Sequence, residues 1–130
     1  METNQQYLID ASSLLDYLSG RLSETAMGFM DEVVDAIPNV SVVTKIEVLS
    51  VNLHDEHMQL LHNFMSDAII LDLSQNVVKN CIVISKTHSI DLPRAIIAAT
   101  AVTYNYTLIT DTPELYANIK GLSIVDIRYK

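Results

Sequence analysis

The sequence predicts an α/β fold, a three-layer α/β/α domain around a central five-stranded, mainly parallel sheet, and three observations carry it. Short β-branched runs recur along the chain with one or two amphipathic helical segments between them, the order expected of a parallel sheet covered on both faces. The 130 residues are 49% hydrophobic and 18% charged, with three glycines and three prolines, which supplies one core and too few breakers for disorder. No repeat, linker or low-complexity segment divides the chain, so a single domain over 1–130 is expected.

The elements follow in order. Tyr7-Leu8-Ile9 is a strand closed by Asp10, and Leu14, Leu15 and Leu18 then fall at helical spacing up to Gly20. Ser23-Glu24-Thr25 starts a second helix, with Met27, Met30, Val33, Val34 and Ile37 on one face before Pro38. Val40 to Val43 reads as the second strand, and Thr44 as the cap of a helix bearing Glu47. Residues 54–67 carry Met58, Leu61, Phe64 and Met65 at helical intervals, and Ala68-Ile69-Ile70-Leu71 is a third strand. A helix over 74–87 turns Val77, Val78, Cys81, Ile82 and Ile84 inward. Pro93 suits a first helical turn, and the small apolar run from Ala95 to Ala101 predicts a helix buried on most sides. Thr107 to Thr110 is the fourth strand, a short helix covers 113–118, and Leu122 to Val125 is the fifth strand.

Sixteen acidic against eight basic residues leave a net charge of −8, which argues against a general electrostatic grip on nucleic acid. It leaves room for nucleic acid handled at a local site. The polar opening, Met1-Glu2-Thr3-Asn4-Gln5-Gln6, has no export signal, and no stretch reaches the roughly 18 apolar residues of a membrane span. The single cysteine, Cys81, rules out an internal disulfide and a cysteine zinc site. A cytoplasmic protein with no membrane association is expected.

In open parallel sheets the functional crevice lies beyond the carboxyl ends of the strands. Three acids fall there or one turn beyond: Asp10, Glu47 and Asp111. Carboxylates gathered at one point repel by about 4 kcal/mol per pair at 4 Å and an effective dielectric near 20, so a cluster of this kind calls for a cation, and oxygen ligands suit Mg²⁺ or Mn²⁺. The plainer reading stands beside it: Asp after a strand is a common helix cap, and Glu early in a helix favours the dipole. His54, His57 and His62 with Asp55 and Glu56 read as a solvated helix face, and Cys81 as core. Ser12-Ser13 has no nucleophile-elbow context, and three glycines leave no phosphate-cradling loop.

Four blocks together carry a resemblance. Tyr7-Leu8-Ile9-Asp10-Ala11-Ser12-Ser13-Leu14-Leu15-Asp16-Tyr17-Leu18, Ser41-Val42-Val43-Thr44-Lys45-Ile46-Glu47-Val48-Leu49, Leu92-Pro93-Arg94-Ala95-Ile96-Ile97-Ala98-Ala99-Thr100-Ala101, and Leu108-Ile109-Thr110-Asp111 with Gly121-Leu122 resemble, in order, the blocks of the PIN domain. The likeness is greatest to the VapC-type toxins of bacterial toxin–antitoxin pairs. It implies a Mg²⁺- or Mn²⁺-dependent endoribonuclease acting by in-line displacement. Asp10 matches the first acid of the pattern and Glu47 the second, Ser12 an assisting position, and Thr110 the Thr after the fourth strand. It also implies a cognate antitoxin, an RNA substrate and a homodimer, with an antitoxin groove on the first two helices where Asp16-Tyr17-Leu18 packs against Met27, Phe29 and Met30.

Two departures define the chemistry in question. Arg94 stands where the pattern has its third acid, and Thr112 stands at its fourth polar position, with Asp111 one residue earlier. One consequence is a rearranged acidic set of Asp10, Glu47, Asp91 and Asp111 that still cleaves, with Asp10, Glu47 and Asp111 as metal ligands. The other is Arg94 paired directly with Asp10 or Glu47 in place of metal, leaving a silent domain that binds protein or RNA.

Overall fold

A computed structural model describes residues 5–130; the polar opening at 1–4 lies outside them. Five strands are described, β1 (Tyr7–Ile9), β2 (Asn39–Ser41), β3 (Ile69–Leu71), β4 (Thr107–Thr110) and β5 (Ser123–Asp126), and all pair in parallel in the order β3-β2-β1-β4-β5. Six helices connect them: α1 (Ala11–Leu18), α2 (Glu24–Asp35), α3 (Val42–Leu49), α4 (Asp55–Asp67), α5 (Gln75–Thr87) and α6 (Leu92–Tyr104). Alternation along the central strands sorts the core into two faces. Leu8 and Leu108 pack with Val77, Cys81, Ile84 and the Ala95–Ala101 stretch of α5 and α6. Ile9 and Ile109 pack with Leu14, Met30, Val33, Leu61 and Met65 from α1, α2 and α4. The three-layer α/β/α expectation is met, and the sheet is parallel throughout.

Several boundaries differ from the expected ones. β2 stops at Ser41, because the Ser41 hydroxyl accepts from the Val43 amide and starts α3 there; Thr44 lies buried inside α3 and caps nothing. On α5 only Val77, Cys81 and Ile84 are covered, while Val78 and Ile82 face outward. Ile37 leaves the apolar face of α2 altogether, with φ +64° and 57% exposure. The short helix after β4 is a 3₁₀ turn over Pro113–Tyr116, and a second 3₁₀ turn, Ile127–Tyr129, follows β5 and packs on α2. The main helical neighbour of α1 is α3, and its polar link to α2 is the Tyr17 hydroxyl donating to Asp31 at 2.6 Å. Removal from water and then that contact push the Tyr17 hydroxyl up to about 12.

Candidate active site

The strand order reverses direction between β1 and β4: β2 and β3 lie to one side, β5 to the other. Such a switch point opens a crevice at the carboxyl ends of the two strands. Ile9 lies in register with Ile109, and the ladder continues one step as the Asp10 amide donates to Ile109 at 3.1 Å. Asp10 and Asp111 therefore emerge side by side from neighbouring strands, although 101 positions separate them in sequence. α6 leads back into β4, so its first turn, with Arg94, comes to the same end. A cleft of about 420 Å³ results, lined by Asp10, Ser12, Glu47, Arg94, Asp111 and Tyr116 among others.

Each polar group has a local reason for its position. Asp10 is 5% exposed and caps α1, accepting the Ser13 amide at 2.9 Å. Burial pushes its carboxyl above the ordinary value, against the Thr110 hydroxyl and the Ser13 amide, which favour the charged form. Glu47 stands on α3 toward solvent; partial removal from water raises its pKa, the positive charge of Arg94 lowers it, and Asp10 adds to the rise. The Ser12 hydroxyl donates to Asp111 at 2.7 Å, which ties the start of α1 to the loop after β4. Thr110 is fully buried and holds that loop through the Thr112 amide at 3.0 Å.

Arg94 turns to a different partner from the expected one. Its backbone amide donates to Asp91 Oδ1 at 3.0 Å and its Nη1 to Asp91 Oδ2 at 2.5 Å. Among the described residues it makes no ion pair with Asp10 or Glu47, so the direct pairing expected in place of metal is corrected. The physical reason is local: Asp91 caps α6, three residues before Arg94, and a carboxylate that accepts the Arg94 amide is already within reach of its side chain. Asp91 is accordingly held below the ordinary carboxylate range, first by that amide and then by the guanidinium. It does not line the cleft.

A divalent cation needs several donors at one point. Among the described residues no three carboxylate, histidine or cysteine side chains converge to hold one. Asp111 is drawn toward Ser12, Asp10 is engaged as a cap, and the group that completes the cleft is a guanidinium. A compact Mg²⁺ shell needs ligands at 2.0–2.1 Å, and this arrangement does not fit it. His54, His57 and His62 are exposed on α4 or at its cap, and Cys81 is buried in the core. Tyr116, 2% exposed and part of the cleft wall, is the residue that sequence reasoning missed. Its signal was the turn-forming Pro113 after Asp111, which brings the next aromatic back over the crevice.

Neither a family model nor a curated protein matches the sequence. Solved structures do, along nearly the whole chain. A toxin–antitoxin complex from Klebsiella pneumoniae is 25% identical over 94% of this chain and 98% of its own, with a TM-score of 0.73. DNA-bound VapBC from Salmonella typhimurium gives a TM-score of 0.79 at 14% identity, over 95% of this chain and 98% of its own. FitAcB from Neisseria gonorrhoeae gives 0.74 at 20% identity, over 96% and 100%. The class defined by this sheet order and crevice is a three-layer α/β/α domain with its acids at the β1–β4 switch point. The fold is PIN-like, the one these structures share.

Proposed function

We propose that this chain is the VapC-like toxin component of a toxin–antitoxin pair, a PIN-domain endoribonuclease by descent whose phosphodiester cleavage is attenuated by Arg94. The observation that supports it is the likeness to VapBC and FitAB complexes along nearly the whole chain, together with a polar cleft at the carboxyl end of the sheet. RNA is the substrate class. Ser12 and Thr110 shape the crevice in which its sugar–phosphate chain lies, and Arg94, the one cation lining it among the described residues, can meet a phosphate. Asp10, Glu47 and Asp111 are the acids of the site, and Asp91 acts on it through Arg94. The resemblance implies Mg²⁺ or Mn²⁺, with Asp10, Glu47 and Asp111 as its ligands; in the arrangement described they do not converge, so no step is assigned to the ion.

The partners are a cognate antitoxin and a second copy of the chain. An apolar groove of about 620 Å³ runs between the end of α1 and α4, lined by Leu15, Leu18, Val51, Leu53, Leu60 and Leu61 with Arg21 and His57 at polar positions. We assign it to the antitoxin in preference to the groove expected between α1 and α2, where the Tyr17 hydroxyl bonds Asp31. No helix among the described residues is long and apolar enough to cross a membrane, and a cytoplasmic site of action is part of the proposal.

A second reading, a silent PIN domain that binds antitoxin or RNA without cutting, is favoured by the anchored Arg94–Asp91 pair. Co-expression with the product of the adjacent short reading frame tests the toxin reading. The expected result is a stable complex, growth arrest when the chain is expressed alone, and slow RNA cleavage lost in Asp10→Asn. No complex and no growth effect would reject it; RNA binding with no cleavage at all would select the silent reading.

A further inference from the structure

The cleft contains its own cation. Asp91 grips Arg94 twice, through the backbone amide at 3.0 Å and through Nη1 at 2.5 Å, so one carboxylate at the head of α6 fixes both the main chain and the guanidinium. The side chain is 40% exposed yet lines the same cleft as Asp10, Glu47 and Asp111. Two of these acids already accept bonds of their own, Asp10 from the Ser13 amide and Asp111 from the Ser12 hydroxyl. We infer that the Arg94 guanidinium is the permanent counter-ion of this acidic cleft, held there by Asp91, and that it keeps divalent cations out at millimolar concentration.

The inference rests on the proposed reading of the cleft as a nuclease-type site, and three physical arguments carry it further. The Arg94 charge, offset in part by Asp91 outside the cleft, repels an incoming dication in the same partly desolvated space where the acids attract it. A guanidinium has no acceptor atom, so position 94 offers a cation nothing to coordinate. Capture of a metal by Asp10 and Asp111 would also compete with the Ser13 and Ser12 donors for carboxylate lone pairs. Asp91 is the positioning residue of this arrangement: it sits outside the cleft and acts through Arg94.

The test titrates Mn²⁺ into the full chain and reads both thermal unfolding and the free-ion signal in electron paramagnetic resonance, neither of which depends on cleavage. The unaltered chain is expected to show no saturable binding in the millimolar range. Arg94→Asp exchanges a cation for an oxygen donor and should bind Mn²⁺ roughly tenfold or more tightly, with a rise in melting temperature that saturates. Arg94→Gln, which removes the charge alone, should fall between them and serves if the Asp variant does not fold. Adding Asp10→Asn to either should abolish the gain. Saturable Mn²⁺ binding by the unaltered chain that Asp10→Asn removes would overturn the inference, as would Arg94 variants that bind no better than the parent. A failure of antitoxin binding, by contrast, would strike the toxin reading and leave these titrations unchanged.

Discussion

At the scale of single residues, Asp10 combines two demands that pull apart. It must cap α1, which favours a carboxylate, and it must sit almost wholly out of water, which disfavours one. Burial wins, since its pKa lies above 3.8. Because the folded chain then holds the proton more tightly than the unfolded one, Asp10 contributes most favourably below pH 3.8 and less as pH rises through the folded value. Asp10→Asn keeps a capping side chain without the charge. It should therefore melt higher than the parent at pH 7, with the difference closing as pH falls toward 4, measured by calorimetry across that range. Ile37 shows another local conflict. A β-branched residue at φ +64° and 57% exposed bears strain that burial does little to offset. Ile37→Asn should raise stability by about 1 kcal/mol in urea unfolding; an unchanged midpoint would show that the turn relaxes around the Ile.

Single elements explain what the sequence made legible and what it hid. Strands of three or four residues were readable because each is a β-branched or aliphatic run between polar stops, and β1, β3 and β4 fall where expected. The β2–α3 junction was not, since Val40 to Val43 reads as strand by composition while the Ser41 cap turns the chain into helix two residues earlier. Val78 and Ile82 have the spacing of a buried face, yet α5 is covered by α6 and the sheet along one narrow strip only. The acids of the cleft were legible as strand-end residues, whereas the Arg94 partner depended on a cap bond that pattern alone does not rank above a longer reach. That cap gives a prediction for α6. Asp91→Ala removes the side chain that accepts the Arg94 amide and should cost about 1 kcal/mol, or roughly 3–4 °C in melting temperature. The folded pKa of Asp91 is lowered, so its contribution is present above pH 3.8 and lost as pH falls through the folded value. The deficit of the variant should shrink accordingly in acid.

For the whole molecule, the parallel topology gathers the acids of β1 and β4, the α3 glutamate and the α6 arginine at one end, and it also leaves an apolar strip with no cover among the described residues. Leu73 is 50% exposed, Val78 38%, Ile82 52% and Leu92 63%, and they border a shallow cleft floored by Cys81 and Ile96 between α5 and α6. Scattered apolar residues need no explanation, but Leu73 just before α5, Val78 and Ile82 on α5 and Leu92 at the head of α6 border one cleft. The second copy proposed above is placed on this strip, where a two-fold pairing would bury these residues and close the assembly. The residues on it are short of charge, Lys86 being the exception in the cleft, so the −8 net charge of each chain does not fall on the contact itself. Light scattering of the full chain should give twice the monomer mass of 14.5 kDa. Ile82→Glu, which places a carboxylate at an already exposed position, should return it to monomer with its melting curve otherwise preserved and its Mn²⁺ titration unaltered. A parent that remains monomeric at high concentration would remove the second copy from this strip, and a dimer untouched by Ile82→Glu would move it to another face.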